Sequence, residues 1–266
     1  MKTVILILMF VLGACFGSFL CCQARRIYLE ETKHKKLGKR SVCLNCNYKL
    51  KWYDNIPIFS WLFLRGKCRK CHKKIGLAEF LSELLSGIAL FMIGTTVDIR
   101  FEELEWVLVV VITIFTISLI FLAIYDGVYG KLPVFGLITS IIIGFIYCVI
   151  RQIFHSQYYR VDAGTFLYPV ASVAILGGVY LVLHKVSKGK WVGDGDWLLG
   201  TAIGLALVEP WLALITLFVA NVLACVVMAP VVRKSKDKKI YFGPFMVMAF
   251  VIVYTFSDFF FYAIGG

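Results

Sequence analysis

The sequence predicts an all-α polytopic membrane protein with about eight transmembrane helices and one small cytoplasmic insert after the first of them. Three observations carry that reading. Hydrophobic residues make up 60% of the chain and aromatics 15%, with a mean hydropathy of +0.84, beyond what a water-soluble domain carries. The apolar residues gather into runs long enough to cross about 30 Å of hydrocarbon as helices. The charge, +12 net, falls almost wholly into the loops between those runs, which is how membrane topology is encoded. A basic balance could also suit nucleic acid, but its confinement to inter-helical loops assigns it to orientation, and no nucleic-acid partner is expected.

Spanning runs lie near Val4–Cys22, Ala78–Val97, Trp106–Tyr125, Leu132–Ile150, Phe166–Val186, Trp211–Val232 and Gly243–Ala263. An eighth, Asp196–Val208, is short. Its glycines and the polar loop before it predict a helix that starts at the membrane surface, or is tilted and shielded by its neighbours. With the loop Gln23–Gly76 in the cytoplasm, alternate crossings bring Lys131, Lys185–Lys190 and Arg233–Lys239 to the same side. That arrangement puts 24 of the 28 basic residues inside, all but Lys2, Arg100, Arg151 and Arg160, and leaves the acidic Asp98–Glu105 segment outside. The positive-inside rule favours it. Three segments follow: 1–22 as the first helix, 23–77 as a cysteine-rich cytoplasmic domain, and 78–266 as a multi-helix membrane domain.

In the first run, Leu12-Gly13-Ala14-Cys15 resembles a lipoprotein cleavage box. Cleavage there would send the basic loop outside, against the charge rule, so the run is read as a retained helix. Its Gly13, Gly17 and Ser18 form a small-residue face suited to close helix packing. In the insert, Cys43-x2-Cys46 and Cys68-x2-Cys71 are two thiol knuckles separated by 21 residues, just beyond the usual interval of a four-cysteine zinc ribbon. Four thiolates can surround one zinc tetrahedrally, and in a reducing compartment metal is favoured over disulfides. Such a site has no open position for substrate, so its role is structural. The stretch Lys51–Leu62 between the knuckles is too apolar for a solvated loop and is expected to pack on the ribbon or lie at the lipid interface. Cys15, Cys21, Cys22, Cys148 and Cys225 sit in apolar runs and read as small hydrophobes.

Glu79 and Glu83 open the second spanning run one turn apart. Glu79 suits a helix N-terminus, whereas the deeper Glu83 could serve a site. The third run closes on Asp126, followed by a short turn and Pro133, which opens the next helix at no hydrogen-bond cost. The short eighth run opens with Gly193-x-Gly195-Asp196. Gly193 and Gly195 permit unusual backbone and close approach of another chain. Asp126 and Asp196 then share one membrane border, where ionisable groups are costly and usually functional. Two carboxylates in one site divide the work: one holds a proton while the other acts as base on a water between them, and the pair titrates as a unit. Capping of helix ends is the plainer use of such residues. Asp194 competes by position, but reads as a solvated loop acid.

These residues resemble the prepilin peptidases, or type IV leader peptidases, a family of membrane aspartyl proteases with a Gly-x-Gly-Asp motif. The resemblance rests on Gly17-Ser18-Phe19-Leu20, both cysteine knuckles, Trp52–Pro57 with Ser60-Trp61, and Arg65-Gly66-Lys67-Cys68. It continues through Glu83–Gly87, Asp126 with Pro133, Gly193-x-Gly195-Asp196, and Gly243-Pro244-Phe245. It implies cleavage of the basic leader of type IV prepilins or pseudopilins, on the cytoplasmic face of a bacterial inner membrane, with Asp126 and Asp196 as the catalytic pair. It also implies methylation of the new N-terminal amine with S-adenosylmethionine, for which the sequence shows no dinucleotide-type glycine fingerprint. Three positions depart from the family pattern: no lysine follows the motif in Asp196-Trp197-Leu198-Leu199, Cys21 stands where an asparagine is common, and Val134 where an acid is common. Two other classes compete. A zinc-ribbon membrane scaffold would dock cytoplasmic partners without proteolysis, and a proton-coupled transporter would need its acids nearer the membrane centre.

Overall fold

The computed structural model describes all residues except 1, 35–40, 44, 98–102, 159–162, 190–191, 235–240 and 261–266. Arg100, Arg160, Lys190, Lys236–Lys239 and the start of the Asp98–Glu105 segment therefore lie outside the described residues. The chain forms two compact units, Met1–Gly94 and Thr95–Gly266.

In the first unit, α1 (Lys2–Lys33) runs well past the predicted end at Cys22. The residues beyond the apolar run, among them Arg25, Arg26, Leu29, Glu30 and Glu31, are good helix formers, and Arg25 pairs with Glu79 at the start of α3 (Leu77–Thr95). The small-residue face does what its composition predicted. A Cβ on Gly13 would lie 2.3 Å from the Ser86 carbonyl oxygen, and one on Gly17 2.5 Å from that of Ser82, so α1 and α3 meet at backbone distance.

The insert is built on two like-shaped knuckles. Cys43 and Cys68 carbonyls accept hydrogen bonds from Asn47 and His72 at 2.9 and 3.0 Å, and Asn47 and His72 both take positive φ, 54° and 53°. Isolated antiparallel bridges, Val42 with Lys49 and Lys67 with Lys74, close each one. A 3-10 turn (Trp52–Asn55) and the short α2 (Phe59–Phe63) lie between them. This apolar stretch is part packed and part exposed. Trp61 stacks on Phe80 at 4.7 Å, while Trp52, Phe59 and Phe63 are 78%, 60% and 84% exposed. Asp54 fixes the stretch to the second knuckle by accepting from Arg69 Nε at 2.8 Å.

The second unit comprises α4 (Glu103–Tyr129), α5 (Val134–Tyr158), α6 (Ala163–Val173), a π-helical turn (Ala174–Gly178), α7 (Val179–Ser187), α8 (Asp196–Leu207), α9 (Pro210–Lys234) and α10 (Gly243–Thr255). Among the described residues of the whole chain, six helical stretches are long and apolar enough to cross a membrane, and α8 and α10 are shorter apolar helices. The eight predicted runs are thus all helical. The last one is interrupted at Phe256, φ −102°, and is helical again over 257–260, beyond which the chain lies outside the described residues.

The short α8 is the hub of this unit. Leu199, Ala202, Ile203, Ala206 and Leu207 are all fully buried, because α5, α6, the π-turn, α7, α9 and α10 pack around it. A helix too short to span is tolerable when its polar ends and backbone are enclosed by protein. Its glycines allow that enclosure: a Cβ on Gly200 would stand 2.8 Å from the Leu176 carbonyl oxygen, and one on Gly204 2.9 Å from that of Ser172. At its C-terminal end Ser172 Oγ donates to the Val208 carbonyl at 2.6 Å and Arg151 Nη1 to that of Leu207 at 3.4 Å.

Candidate active site

Asp126 sits in the last turn of α4 and Asp196 is the first residue of α8. Both are buried, each 6% exposed. Each carboxylate is held by the amide of a glycine. Asp126 Oδ2 accepts from Gly243 N–H at 2.9 Å, at the start of α10, and Asp196 Oδ2 accepts from Gly193 N–H at 2.8 Å, within its own loop. A side chain at either glycine would press on the carboxylate it holds. A Cβ on Gly243 would lie 2.8 Å from Asp126 Oδ2, and one on Gly193 3.2 Å from Asp196 Oδ2.

Gly195 serves a different contact: its Cβ would fall 2.7 Å from Leu132 Cβ, so the loop lies directly on the turn before α5. In that turn the Pro133 carbonyl accepts from Leu137 N–H at 3.1 Å, placing Pro133 at the head of α5 as predicted. The two carboxylates are thereby carried by helices that pack on one another, α4, α5, α8 and α10.

Asp194 is elsewhere. Its side chain is 96% exposed and meets His184 Nε2 at 3.2 Å, while His184 Nδ1 faces the Val192 carbonyl at 3.0 Å. The loop therefore presents one acid outward and folds the other inward.

Three residues near this pair escaped the sequence reading. Tyr180 on α7 is 2% exposed and feels the charge of Asp196. Its ring packs against Phe242 at 5.3 Å, the residue before Gly243, and its hydroxyl accepts from Asn221 Nδ2 at 3.4 Å. The one available signal was a polar atom inside each of two apolar runs, which periodicity does not weigh.

Glu83 lies in the first unit and is engaged there: buried on α3, it accepts from Ile58 N–H at 2.7 Å. Ile58 carries φ +64°, a costly conformation for a β-branched residue, and the carboxylate bond holds it in place.

The four predicted ligand cysteines converge. The Sγ atoms of Cys43, Cys46, Cys68 and Cys71 all lie within 4.8 Å of one another, with Cys43 to Cys71 at 3.8 Å and Cys46 to Cys68 at 4.0 Å. Disulfide sulfurs would be about 2.05 Å apart. A tetrahedron of sulfurs at about 2.3 Å from a metal has edges of about 3.8 Å, so the set is spaced to hold an ion. The Lys73 backbone N–H and then the Asn45 side chain pull the Cys71 thiol down to about 6, toward the ligand form. Cys21 and Cys148 are buried as expected, but Cys15 and Cys225 are exposed on the helix surface.

Comparison with known proteins agrees with these features. Residues 11–97 match the Bacterial Peptidase A24 N-terminal domain. A prepilin leader peptidase/N-methyltransferase of Neisseria gonorrhoeae is 29% identical over 231 residues, 82% of this chain and 71% of that protein. One of Legionella pneumophila is 27% identical over 90% of this chain and 80% of its own length. One of Myxococcus xanthus is 42% identical, but over 85 residues, only 24% of that protein. No solved structure shows significant similarity. The resemblance read from the motifs is borne out over most of the chain.

Proposed function

We propose that this chain, a relative of the prepilin leader peptidase/N-methyltransferases, is a membrane aspartic endopeptidase that removes the leader of type IV prepilins or pseudopilins. The observation that carries the reading is the pair of buried carboxylates, each delivered by a separate helix and each held by the amide of a glycine. In the reaction one carboxylate takes a proton from a bound water as its oxygen adds to the scissile carbonyl, and the other, holding a proton, gives it to the carbonyl oxygen. Collapse of the resulting diol breaks the C–N bond, returns a proton to the dyad and protonates the leaving amine. The Gly243 and Gly193 amides orient the carboxylates and leave their second oxygens for water and substrate.

The same reading takes the dyad to face the cytoplasm, as the distribution of lysines and arginines supports, in a bacterial inner membrane. The knuckles hold zinc through Cys43, Cys46, Cys68 and Cys71, with every coordination position filled by protein, so the ion supplies cross-linking of a small fold and no chemistry. Methylation of the new amine with S-adenosylmethionine is taken from the printed name of the relatives. The described residues offer no glycine-rich cradle of the dinucleotide type, and no step is routed through that cofactor.

The test is cleavage of a synthetic prepilin leader peptide by detergent-reconstituted protein, followed by mass spectrometry with and without S-adenosylmethionine. Wild type is expected to cut and the Asp196→Asn variant to leave the peptide intact, with a methyl increment on the product when the cofactor is present. Folded wild type that cuts none of several leader sequences would overturn the peptidase reading in favour of a docking scaffold.

A further inference from the structure

Tyr180 belongs to no part of the proposed dyad, yet its helix packs on α8, which opens with Asp196. It is buried on α7, within the field of Asp196. Its ring lies against Phe242, one residue before the amide that binds Asp126. Its phenol oxygen is the only polar atom of a side chain otherwise packed on apolar groups, so its hydrogen bonds have to be accounted for one by one.

One is a bond it receives. Asn221 Nδ2 lies 3.4 Å from the Tyr180 oxygen and also donates to the Leu217 carbonyl at 2.7 Å. The second contact fixes the amide's orientation. Turned over, it would press its own oxygen against a carbonyl oxygen, so the nitrogen must face Tyr180 and the phenol must accept from it. The hydroxyl proton is therefore not spent on Asn221. Among the described residues no group accepts it.

A buried donor with no acceptor among the described residues, on a ring packed against the residue that precedes the Asp126-binding amide, is what an acyl-transfer site needs for the oxygen that gains charge as water adds. We propose that Tyr180 is a third catalytic group of this site, its hydroxyl donating a hydrogen bond to the scissile carbonyl oxygen of the bound peptide. The inference rests on the peptidase reading. No proton leaves the phenol: the dyad supplies the proton and the water, the C–N bond breaks, a C–O bond forms, and Tyr180 stabilises the oxygen while this happens. Asn221 is then a positioning residue, since its donated bond turns the phenol proton away from itself and toward the substrate.

The experiment compares wild type, Asp196→Asn and Tyr180→Phe in the reconstituted leader-peptide assay. Phe keeps the ring and its packing on Phe242 and removes only the hydroxyl. Tyr180→Phe is expected to lose about 100-fold or more in kcat, with KM and thermal unfolding temperature close to wild type. It should also bind more weakly a leader peptide whose scissile unit is replaced by statine, a mimic of the tetrahedral diol. A kcat within about threefold of wild type would overturn the role for Tyr180 while leaving the dyad intact. A loss confined to KM would do the same. If wild type itself does not cut, the peptidase reading fails and this inference fails with it. Should Tyr180→Phe not fold, 3-fluorotyrosine placed at 180 retains the hydroxyl and makes it a stronger donor. Tighter statine-peptide binding than wild type is then expected, and unchanged binding overturns the proposal.

Discussion

At the scale of single residues the site turns on which acid of Gly193-Asp194-Gly195-Asp196 is folded inward. The sequence marks Asp196 as the motif acid and Asp194 as a solvated loop acid, and the fold agrees: Asp196 is buried and Asp194 is left in solvent. Accordingly, Asp126→Asn and Asp196→Asn should each abolish leader cleavage, and Asp194→Asn should keep at least about half of it, since an exposed pair with His184 contributes little. Comparable loss in Asp194→Asn would move the second acid of the dyad. Gly243→Ala tests the amide that holds Asp126. Its Cβ would sit 2.8 Å from Oδ2, so kcat should fall by tenfold or more, roughly the effect of misplacing a catalytic group by a fraction of an ångström. Full activity in that variant would show that the contact is incidental. None of these partners was legible in sequence, because Gly243 lies far along the chain from Asp126 and no local pattern links them.

At the scale of elements, α8 and the cysteine knuckles behave differently. The knuckles could be read directly, because metal-ligand spacing is a local property and a CxxC turn has one way to aim both sulfurs at one ion. Cys43→Ser and Cys68→Ser should each lose stoichiometric metal on elemental analysis and lower the unfolding temperature. Zinc retained in full by both would reject a four-sulfur site. Acid should release the ion as well. A thiol whose folded pKa is depressed contributes its stabilisation above the unfolded value, near 8.5, and loses it as pH falls through the folded value, which for Cys71 is about 6. Metal content should hold at pH 7.5 and fall as the ligand thiolates take up protons at lower pH, read by a zinc-sensitive dye. The behaviour of α8 depends on its surroundings. Gly204→Val would drive a side chain into the Ser172 backbone, where the flank of α6 cannot yield. A loss of about 1–3 kcal/mol is expected for such overpacking, measured by thermal unfolding in detergent, with Gly178→Ala, whose Cβ meets nothing within 4 Å, as the neutral control.

At the scale of the whole molecule the property to test is orientation. Six stretches long and apolar enough to span and two shorter apolar helices leave the sidedness to the basic residues, 24 of whose 28 the expected topology puts inside. Trypsin added to inside-out vesicles should cut after Lys188, in the turn that follows α7, and should spare that bond in right-side-out vesicles, with fragments identified by mass spectrometry. Cleavage after Lys188 from the outer face would reverse the topology and with it the side on which the dyad works.

What the sequence determined by itself is whatever depends on neighbours along the chain. Runs of apolar residues set the eight helices, because a span needs only length and hydrophobicity. Paired cysteines set the four-sulfur cluster, and glycine next to aspartate marked the loop where an acid could be folded under. The first helix outran its apolar run because helix propensity continues through Arg25–Glu31 after hydrophobicity has stopped, a competition that composition alone does not decide. Tertiary structure decided the rest. It brought the Gly243 amide to Asp126, supplied the particular helices that enclose α8, and packed the buried Tyr180 against Phe242 with its hydroxyl at Asn221. The reason is physical: those outcomes follow from close packing between segments distant in sequence, where a single Cβ or one hydrogen bond selects the arrangement, and no local pattern records which distant backbone will arrive.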